Sequence, residues 1–446
     1  MSRFKTFPKG GIHPTDHKEA TCHKEIQNAS LSSIAVVPLS QHIGAPCECL
    51  VKKGDTVEEE QIIGKAGGFV SANIHSPVPG EVKEIKQIFL PNGIAVDAVV
   101  IEMQGEFKRL GKEETSSDWS GMSNEEISAK ISEMGIVGQG GATFPTHVKL
   151  SLPKGKTCDT FIINAVECEP YLTSDHRVML EKGKEVLEGI RIIQRLLSPG
   201  KTVIGIEANK MDAVEYLQSL VSSEGLDIDV MPLEVKYPQG AEKNLIKAVT
   251  GKEVPSGKLP LEVGVINANV GTCLSVYEAV VLNKPVIERV VTVSGGAIKN
   301  PLNLKARVGT SFRTLIEDCG GFSEEPVKVI AGGPMMGFTV YDLDTPVTKG
   351  TSGILALTAK EIKAAKPTNC LSCGRCISAC PMGLNPTKIF KYIEFNLSDE
   401  AAAAGLMDCV ECGSCSFMCP AHIPLVQGFR GGKKVLRKNS MKKAGK

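Results

Sequence analysis

Eight of the fifteen cysteines in this chain fall into two runs of one pattern. Cys370-Leu-Ser-Cys373-Gly-Arg-Cys376-Ile-Ser-Ala-Cys380-Pro381 is matched by Cys409-Val-Glu-Cys412-Gly-Ser-Cys415-Ser-Phe-Met-Cys419-Pro420. Both read C-x2-C-x2-C-x3-C-P, the bacterial pattern for a pair of 4Fe-4S clusters. Three closely spaced thiolates wrap one corner of a cubane, and the fourth, carried round the turn, reaches the other cluster. The expected ligand sets are therefore crossed: Cys370, Cys373, Cys376 and Cys419 for one cluster, and Cys380, Cys409, Cys412 and Cys415 for the other. Zinc is the plain alternative, but it wants paired C-x2-C hooks meeting at one tetrahedral centre, not four-cysteine runs that end in proline. Clusters of this kind take electrons singly, and two in one fold suit a relay. The cysteines at 22, 47, 49, 158, 168, 273 and 319 are scattered and read as small buried hydrophobes.

A second candidate site is glycine-rich. The stretch Gly135-Ile-Val-Gly138-Gln-Gly140-Gly141-Ala142-Thr143-Phe144-Pro145-Thr146-His147-Val148-Lys149 places glycines where a helix should begin. Backbone N–H groups there, free of Cβ crowding and aided by a helix dipole, hold phosphate well. Taken alone the segment reads better as a glycine-rich surface turn, since it is not G-x-G-x-x-G. Asn164-Ala165-Val166-Glu167-Cys168-Glu169-Pro170 follows at the end of the next strand candidate, the place where α/β sheets bind ligands.

Positioning these residues calls for several elements. Residues 30 to 105 show short β segments (SIAVVPL, Cys49-Leu50-Val51, Gln61-Ile62-Ile63, and His75 to Val82) joined by Gly, Pro and Asp turns, which predicts a small β barrel or sandwich. From about 125 to 285 apolar strand-like runs alternate with amphipathic stretches, the α/β signature. Strands are predicted at 160–165, 201–207 and 226–233, and helices at 178–197, 213–221, 241–249 and 272–282. A β-rich module follows from Ile287 to Ile330 with glycine turns at 295–296, 320–321 and 332–333. Ala356 to Ala365 reads as a helical linker, and the final KKVLRKNSMKKAGK as a solvated basic tail. The fold class is multidomain α/β with small β modules.

A chain of 446 residues exceeds one hydrophobic core, and 42% hydrophobic with 23% charged residues is ordinary for a folded protein. A formal charge of +1 argues against nucleic acid as a partner. The N-terminus MSRFKTFPKGGIHP lacks a secretory h-region, and no stretch supplies the roughly 20 apolar residues of a membrane span. A cytoplasmic chain is expected.

GQGGATFPTHVK, INAVECEP, QGAEKNL at 239–245 and NANVGT at 267–272 together resemble the flavin-carrying, NADH-oxidising subunit of respiratory complex I. The resemblance implies non-covalent FMN on Gly138, Gly140, Gly141, Lys149, Asn164, Glu167, Asn269 and Thr272. It implies NAD(H) held over the flavin by Phe144, Glu169 and Glu242. Two positions depart from that family's pattern, Val166 and Ala241 standing where acidic residues are usual, and that family ends in a single cluster.

All the parts together, from FKTFPKGGIHP to the double cysteine run, resemble the C subunits of the Rnf-type ion-translocating ferredoxin:NAD oxidoreductases. That likeness implies an N-terminal segment and a lipoyl-like barrel-sandwich hybrid at 1–120, with Phe69 where a carrier lysine would stand. It implies a Rossmann-like FMN/NADH domain at 121–285, a β-grasp module at 286–350, an α-helical two-cluster ferredoxin-type domain at 351–432 and a basic tail at 433–446. Implied partners are the membrane subunits of one complex, other iron-sulfur or flavin subunits, and ferredoxin, with docking at the cytoplasmic face of the cell membrane. A microcompartment cobalamin reductase shares the flavin and cluster modules but begins near the glycine loop. On this reading hydride passes between nicotinamide and FMN, and single electrons pass through two clusters. A flavin-free iron-sulfur adaptor and a docking scaffold are the rival readings.

Overall fold

The computed structural model describes residues 4–362 and 365–444, without the side chains of 440–444. Its central element is a four-stranded parallel sheet in the order Asp229–Leu233, Lys201–Glu207, Thr160–Asn164, Val265–Asn269. Thr160–Asn164 and Val265–Asn269 are mostly apolar, as strands covered on both faces must be. Phe161 and Ile163 face one side, among Ile190, Ile193 and Val276 of the helices Gly183–Leu197 and Val270–Val280. Ile162 faces the other, with Val203, Leu245 and Ile246, the last two from the helix Glu242–Thr250. Gly189 permits the close crossing of the first two helices: a Cβ there would stand 1.9 Å from the Cys273 carbonyl oxygen. In this sheet Asn164 is the register partner of Asn269, both at the carboxyl ends of their strands.

The helix predicted over 178–197 is two helices, Ser174–Glu181 and Gly183–Leu197. The break falls at Lys182, beside a glycine whose missing Cβ makes room for Tyr216. Glycine is both a poor helix former and the only residue that fits there.

Ahead of this sheet, two antiparallel sheets close on a core of Val37, Val57, Ile63, Ile74, Val82, Val99 and Ile101. One is ordered Ile34–Pro38, Ala95–Met103, Gly80–Phe89, Thr56–Val57, and the other Glu48–Cys49, Ile62–Lys65, Ile74–His75. The strand predicted to end near Val82 runs on to Phe89 as half of a long hairpin. Phe69 is 73% exposed on a loop of this module.

A six-stranded mixed sheet follows, ordered Gln27–Asn28, Leu302–Arg307, Glu288–Ser294, Gly353–Leu357, Lys328–Ala331, Phe338–Thr339. Two expectations are corrected here. The supposed helical linker at 356–365 begins as the end of the strand Gly353–Leu357, every residue of which is buried between two partner strands. Residues 363 and 364 lie outside those described. Sheet completion overrides the helix preference of Leu355, Ala356 and Leu357. The sheet thus extends past residue 350, and it recruits Gln27–Asn28 from the N-terminal segment.

The cysteine region is built of short helices, Arg375–Ala379, Pro386–Glu394, Ser398–Ala403 and Ser414–Phe417, closed by the long helix Leu425–Ala444. The presumed solvated tail is therefore helical to residue 444. Its first residue, Lys433, is buried and donates to the Cys409 carbonyl at 2.6 Å and to Glu411 at 2.8 Å.

Candidate flavin and iron-sulfur sites

The two cysteine runs fold alike. Ser372 and Glu411 share a left-handed backbone, as do Gly374 and Gly413, and each glycine opens the short helix that carries the third cysteine. These turns aim N–H groups at sulfur: Ser372 donates to Cys370 and Glu411 to Cys409, both at 3.4 Å. The eight thiols then divide between two voids. Cys380, Cys409, Cys412 and Cys415 line one, walled by Pro381, Leu384, Val426 and Phe429. Cys370, Cys373, Cys376 and Cys419 line the other with Leu371, Ile377, Lys388 and Lys391. Each group draws three cysteines from one run and one from the other.

Four thiols ringing a void fit a cubane, which takes one sulfur per corner iron. Among the described residues no group of three or more His, Cys, Asp or Glu side chains is arranged around a single ion. The first void is the inner one: Cys412 and Cys415 are buried, and burial pushes the Cys409 thiol up to about 11 and Cys415 up to about 12. At the outer void Cys370 and Cys373 are exposed.

The glycine loop rises from a neck where Val137 pairs with Pro145 and the Gly138 N–H donates to the Phe144 carbonyl at 2.9 Å. Gly140 and Gly141 are exposed at its tip; Gly141, at φ +102°, would have open space around a Cβ, and Gly140 lies against Asn269. The loop is moored by Gln139, whose N–H donates to Thr272 Oγ1 at 2.9 Å and whose side chain reaches Ser275 at 2.6 Å and Arg289. Lys149, on the short helix Thr146–Leu150, donates to Asn267 at 2.8 Å and Glu242 at 3.2 Å. Asn164 donates to the Gly240 carbonyl at 2.8 Å. Asn269 caps the helix Val270–Val280 through the Gly271 N–H at 2.9 Å and holds Asp175 at 2.7 Å. Gly138, Gly140, Gly141, Lys149, Asn164, Glu242, Asn269 and Thr272 are thus gathered at the carboxyl ends of the parallel strands, with Phe144 half-buried at the loop's base. An exposed loop with N–H groups free of side chains, a neighbouring ammonium and several amides fits the polar edge and phosphate of a flavin nucleotide.

Glu167 and Glu169 turn elsewhere. The Glu167 carboxylate accepts from Asp175 N–H at 2.8 Å, the Ser174 hydroxyl at 3.2 Å and His176 N–H at 3.3 Å, closing the N-terminus of the helix Ser174–Glu181. Glu169 accepts from the Met335 and Met336 N–H groups at 3.0 and 2.9 Å, and the Tyr237 hydroxyl stands at 3.4 Å. Burial pushes its carboxyl up to about 7 despite those donors. Asp175 is likewise pushed up to about 7, by burial and then by the Glu167 charge.

Sequence reasoning missed the residues behind the site. Buried Lys18 donates to the carbonyls of Glu167 at 3.0 Å, Glu169 at 2.9 Å and Leu172; buried Lys210 donates to that of Val166 at 2.8 Å. Burial, followed by the charge of Lys210, holds the Lys18 ammonium below its usual range. Tyr237, just ahead of the QGAEKNL segment, donates to the Cys412 carbonyl at 2.7 Å. A buried lysine or tyrosine has no local pattern; the fragment FKTFPKGGIHP was the one available sign that the N-terminus has a job.

A flavin-type α/β site and a pair of four-thiol voids in one chain define an iron-sulfur flavoprotein of electron transfer. Family models agree segment by segment: an RnfC barrel sandwich hybrid domain at residues 5–106, a Nuo51 FMN-binding domain at 131–278, an SLBB domain at 290–339 and a 4Fe-4S dicluster domain at 369–423. The chain is 48% identical to the C subunit of the proton-translocating ferredoxin:NAD(+) oxidoreductase complex of Clostridium ljungdahlii, over 89% of this chain and 86% of that protein. It is 45% identical to the Na(+)-translocating counterpart of Acetobacterium woodii, over 96% of each. With the C subunit of the ion-translocating oxidoreductase complex of Rhodobacter capsulatus it shares 43% over 98% of this chain and 84% of that one. The chain belongs to the family of C subunits of ion-translocating ferredoxin:NAD(+) oxidoreductase complexes. Its cofactors are FMN and 4Fe-4S clusters, and it works as one subunit of an oxidoreductase complex. Among the described residues no helix is long and apolar enough to cross a membrane. The fold also matches a chain of an air-oxidized NAD+-reducing NiFe-hydrogenase, at a TM-score of 0.50 and 15% identity, over 70% of this chain and 63% of that one.

Proposed function

We propose that the chain accepts or donates hydride at a nicotinamide site over FMN and relays single electrons through an inner and then an outer 4Fe-4S cluster. It does so at the cytoplasmic face of the membrane, as the peripheral subunit of a complex that couples ferredoxin and NAD(H). The observation that carries this reading is the contact between the two sites: Tyr237, between the strand Asp229–Leu233 and Glu242, reaches the carbonyl of Cys412 in the inner void.

Bound FMN supplies the conversion between a two-electron hydride and single electrons. The chain supplies position and field. Gly140 and Gly141 bring N–H groups to the nucleotide without steric obstruction, Gly138 closes the neck of the loop on the Phe144 carbonyl, and Thr272 fixes the loop through the Gln139 N–H. Lys149 offers the positive charge, pre-aimed by Asn267 and Glu242. Asn164 and Asn269 present amides from adjacent strand ends. Phe144 and Glu242 would hold nicotinamide on this reading. Glu167 and Glu169 act from behind, fixing the chain that follows Asn164. Cys380, Cys409, Cys412 and Cys415 hold the inner cluster, and Cys370, Cys373, Cys376 and Cys419 the outer one, whose exposed cysteines face a partner. The finer fold labels go with this reading: a lipoyl-like barrel without carrier lysine, a Rossmann-like flavin domain and a β-grasp module.

Cofactor content is the first check. Anaerobically purified protein should release one FMN per chain and contain iron and sulfide for two cubanes; iron and sulfide without flavin would leave an adaptor instead.

A further inference from the structure

Residues 5–18 touch both redox sites. Lys5 pairs with Leu233 at the end of the parallel sheet, and the Thr6 hydroxyl donates to Gln239 at 2.7 Å. Ile12 and Tyr237 exchange both backbone hydrogen bonds, each at 2.9 Å. Between these contacts the strand turns to the cluster domain: the Gly11 N–H donates to the Ala379 carbonyl at 3.0 Å. Gly10, at φ +60°, lies so close that a Cβ would stand 2.4 Å from the Cys380 carbonyl oxygen. Ile12, Tyr237, Ala379 and Cys412 form one small apolar cluster. Further on, the Asp16 carbonyl accepts from the Tyr171 N–H at 2.7 Å, and Lys18 enters the loop behind Glu167 and Glu169. All three ammonium protons of Lys18 are taken by carbonyl oxygens of that loop.

We propose that residues 5–18 are a clamp that sets the spacing between the flavin-site loop and the inner cluster, with Gly10 and Lys18 as its positioning residues. The proposal rests on the functional reading above and adds to it an element outside both cofactor modules. The step served moves one electron from the reduced flavin to the inner cluster; the flavin is oxidised by one electron, the cluster is reduced by one, and no covalent bond changes. Such a step depends on the distance between the two centres as well as on their potentials, so an element that fixes this distance bears directly on its rate. The clamp is suited to hold that geometry because Gly11, Ile12 and Asp16 make their contacts with backbone atoms, which have no rotamers to relax. Gly10 is required because any other residue would push the Cys380 backbone away, and Lys18 because only a long cation supplies three donors to one buried loop.

The test compares full-length wild type with Gly10→Ala, Lys18→Met and, as a control, Gly431→Ala, whose added methyl meets open space. Each is purified anaerobically and examined by EPR of the dithionite-reduced clusters, flavin content, and stopped-flow reduction by NADH. Gly10→Ala should shift the inner-cluster EPR signal, leave the outer one in place, and slow NADH-driven cluster reduction several-fold relative to flavin bleaching. Lys18→Met should slow flavin bleaching as well, because it frees the loop at the flavin end. Gly431→Ala should match wild type. If Gly10→Ala does not accumulate as folded protein, Lys18→Met carries the decision. Wild-type spectra and rates in the variants would overturn the clamp. A wild type that shows no NADH bleaching would instead overturn the functional reading, so the two failures are distinguishable.

Discussion

The hydroxyl of Tyr237 donates to the backbone carbonyl of Cys412 at 2.7 Å, while lying 3.4 Å from the carboxylate of Glu169. One phenol thus joins the strand-end loop of the flavin site to the turn that carries an inner-cluster cysteine. Glu169 on the loop also accepts from the Met335 and Met336 N–H groups, and Arg430 ties that segment to the turn by donating to Glu411 at 3.2 Å and to the Met336 carbonyl at 2.8 Å.

Tyr237→Phe keeps the ring and removes the donor, leaving the buried Cys412 carbonyl without it. The expected cost is about 1–3 kcal/mol of stability, read as a lowered thermal midpoint. Flavin bleaching by NADH should persist while electron arrival at the clusters slows. Equal slowing of both steps would remove Tyr237 from the connection.

Crossed ligation has a direct signature. Cys380→Ala and Cys412→Ala, from different runs, should abolish the same EPR signal, and Cys419→Ala and Cys373→Ala should abolish the other. Iron analysis should show about half the wild-type content in all four. If Cys380→Ala paired with Cys373→Ala, the runs would each hold their own cluster.

How much of this was legible in the sequence follows from how local each signal is. The cysteine spacings lie within a dozen residues, and the thiols divide between the two voids as that spacing implies. Three of the four parallel strands were legible as well, since strands covered on both faces are mostly apolar, whereas Val265–Asn269, interrupted by two asparagines, was not predicted. Gly353–Leu357 was not, because its partners are 29 and 61 residues away in the register pairs Lys328↔Leu357 and Thr292↔Gly353, and the alanines and lysines beyond it resemble a helix. Glu167 and Glu169 were placed on the ligand by resemblance; their burial against the Ser174–Glu181 helix and against Met335 and Met336 is a tertiary fact. Lys18 gave no signal at all, because its three acceptors are backbone carbonyls about 150 residues downstream.

Lys149 is the one ammonium directed at the candidate flavin pocket from the glycine-loop helix. Lys149→Met removes a charged donor, and a charged hydrogen bond contributes about 1.5–3 kcal/mol. FMN should dissociate about tenfold or more readily, measured by flavin fluorescence on dilution. Unchanged retention would place the nucleotide elsewhere on the sheet.

Glu169 gives the protein a pH dependence with a defined sign. Its carboxyl is raised from an ordinary 4.5 to about 7 by burial, so between those values the folded chain binds more protons than the unfolded one. Its contribution is complete below about pH 4.5 and is lost as pH rises through about 7. Asp175 and Glu207, both raised by burial, act in the same direction. Glu169→Gln should flatten the fall in thermal midpoint between about pH 5 and about pH 7.5. An undiminished slope would assign the titration to Asp175 and Glu207 alone.

The central claim is that one chain converts a hydride into single electrons and hands them to the inner cluster. Anaerobic titration of the purified protein with NADH, recording flavin absorbance and cluster EPR on the same samples, measures this directly. The expected result is flavin bleaching accompanied by the appearance of reduced-cluster signals. Clusters reducible by dithionite but silent to NADH, in a protein whose flavin absorbance is absent or unmoved, would contradict it.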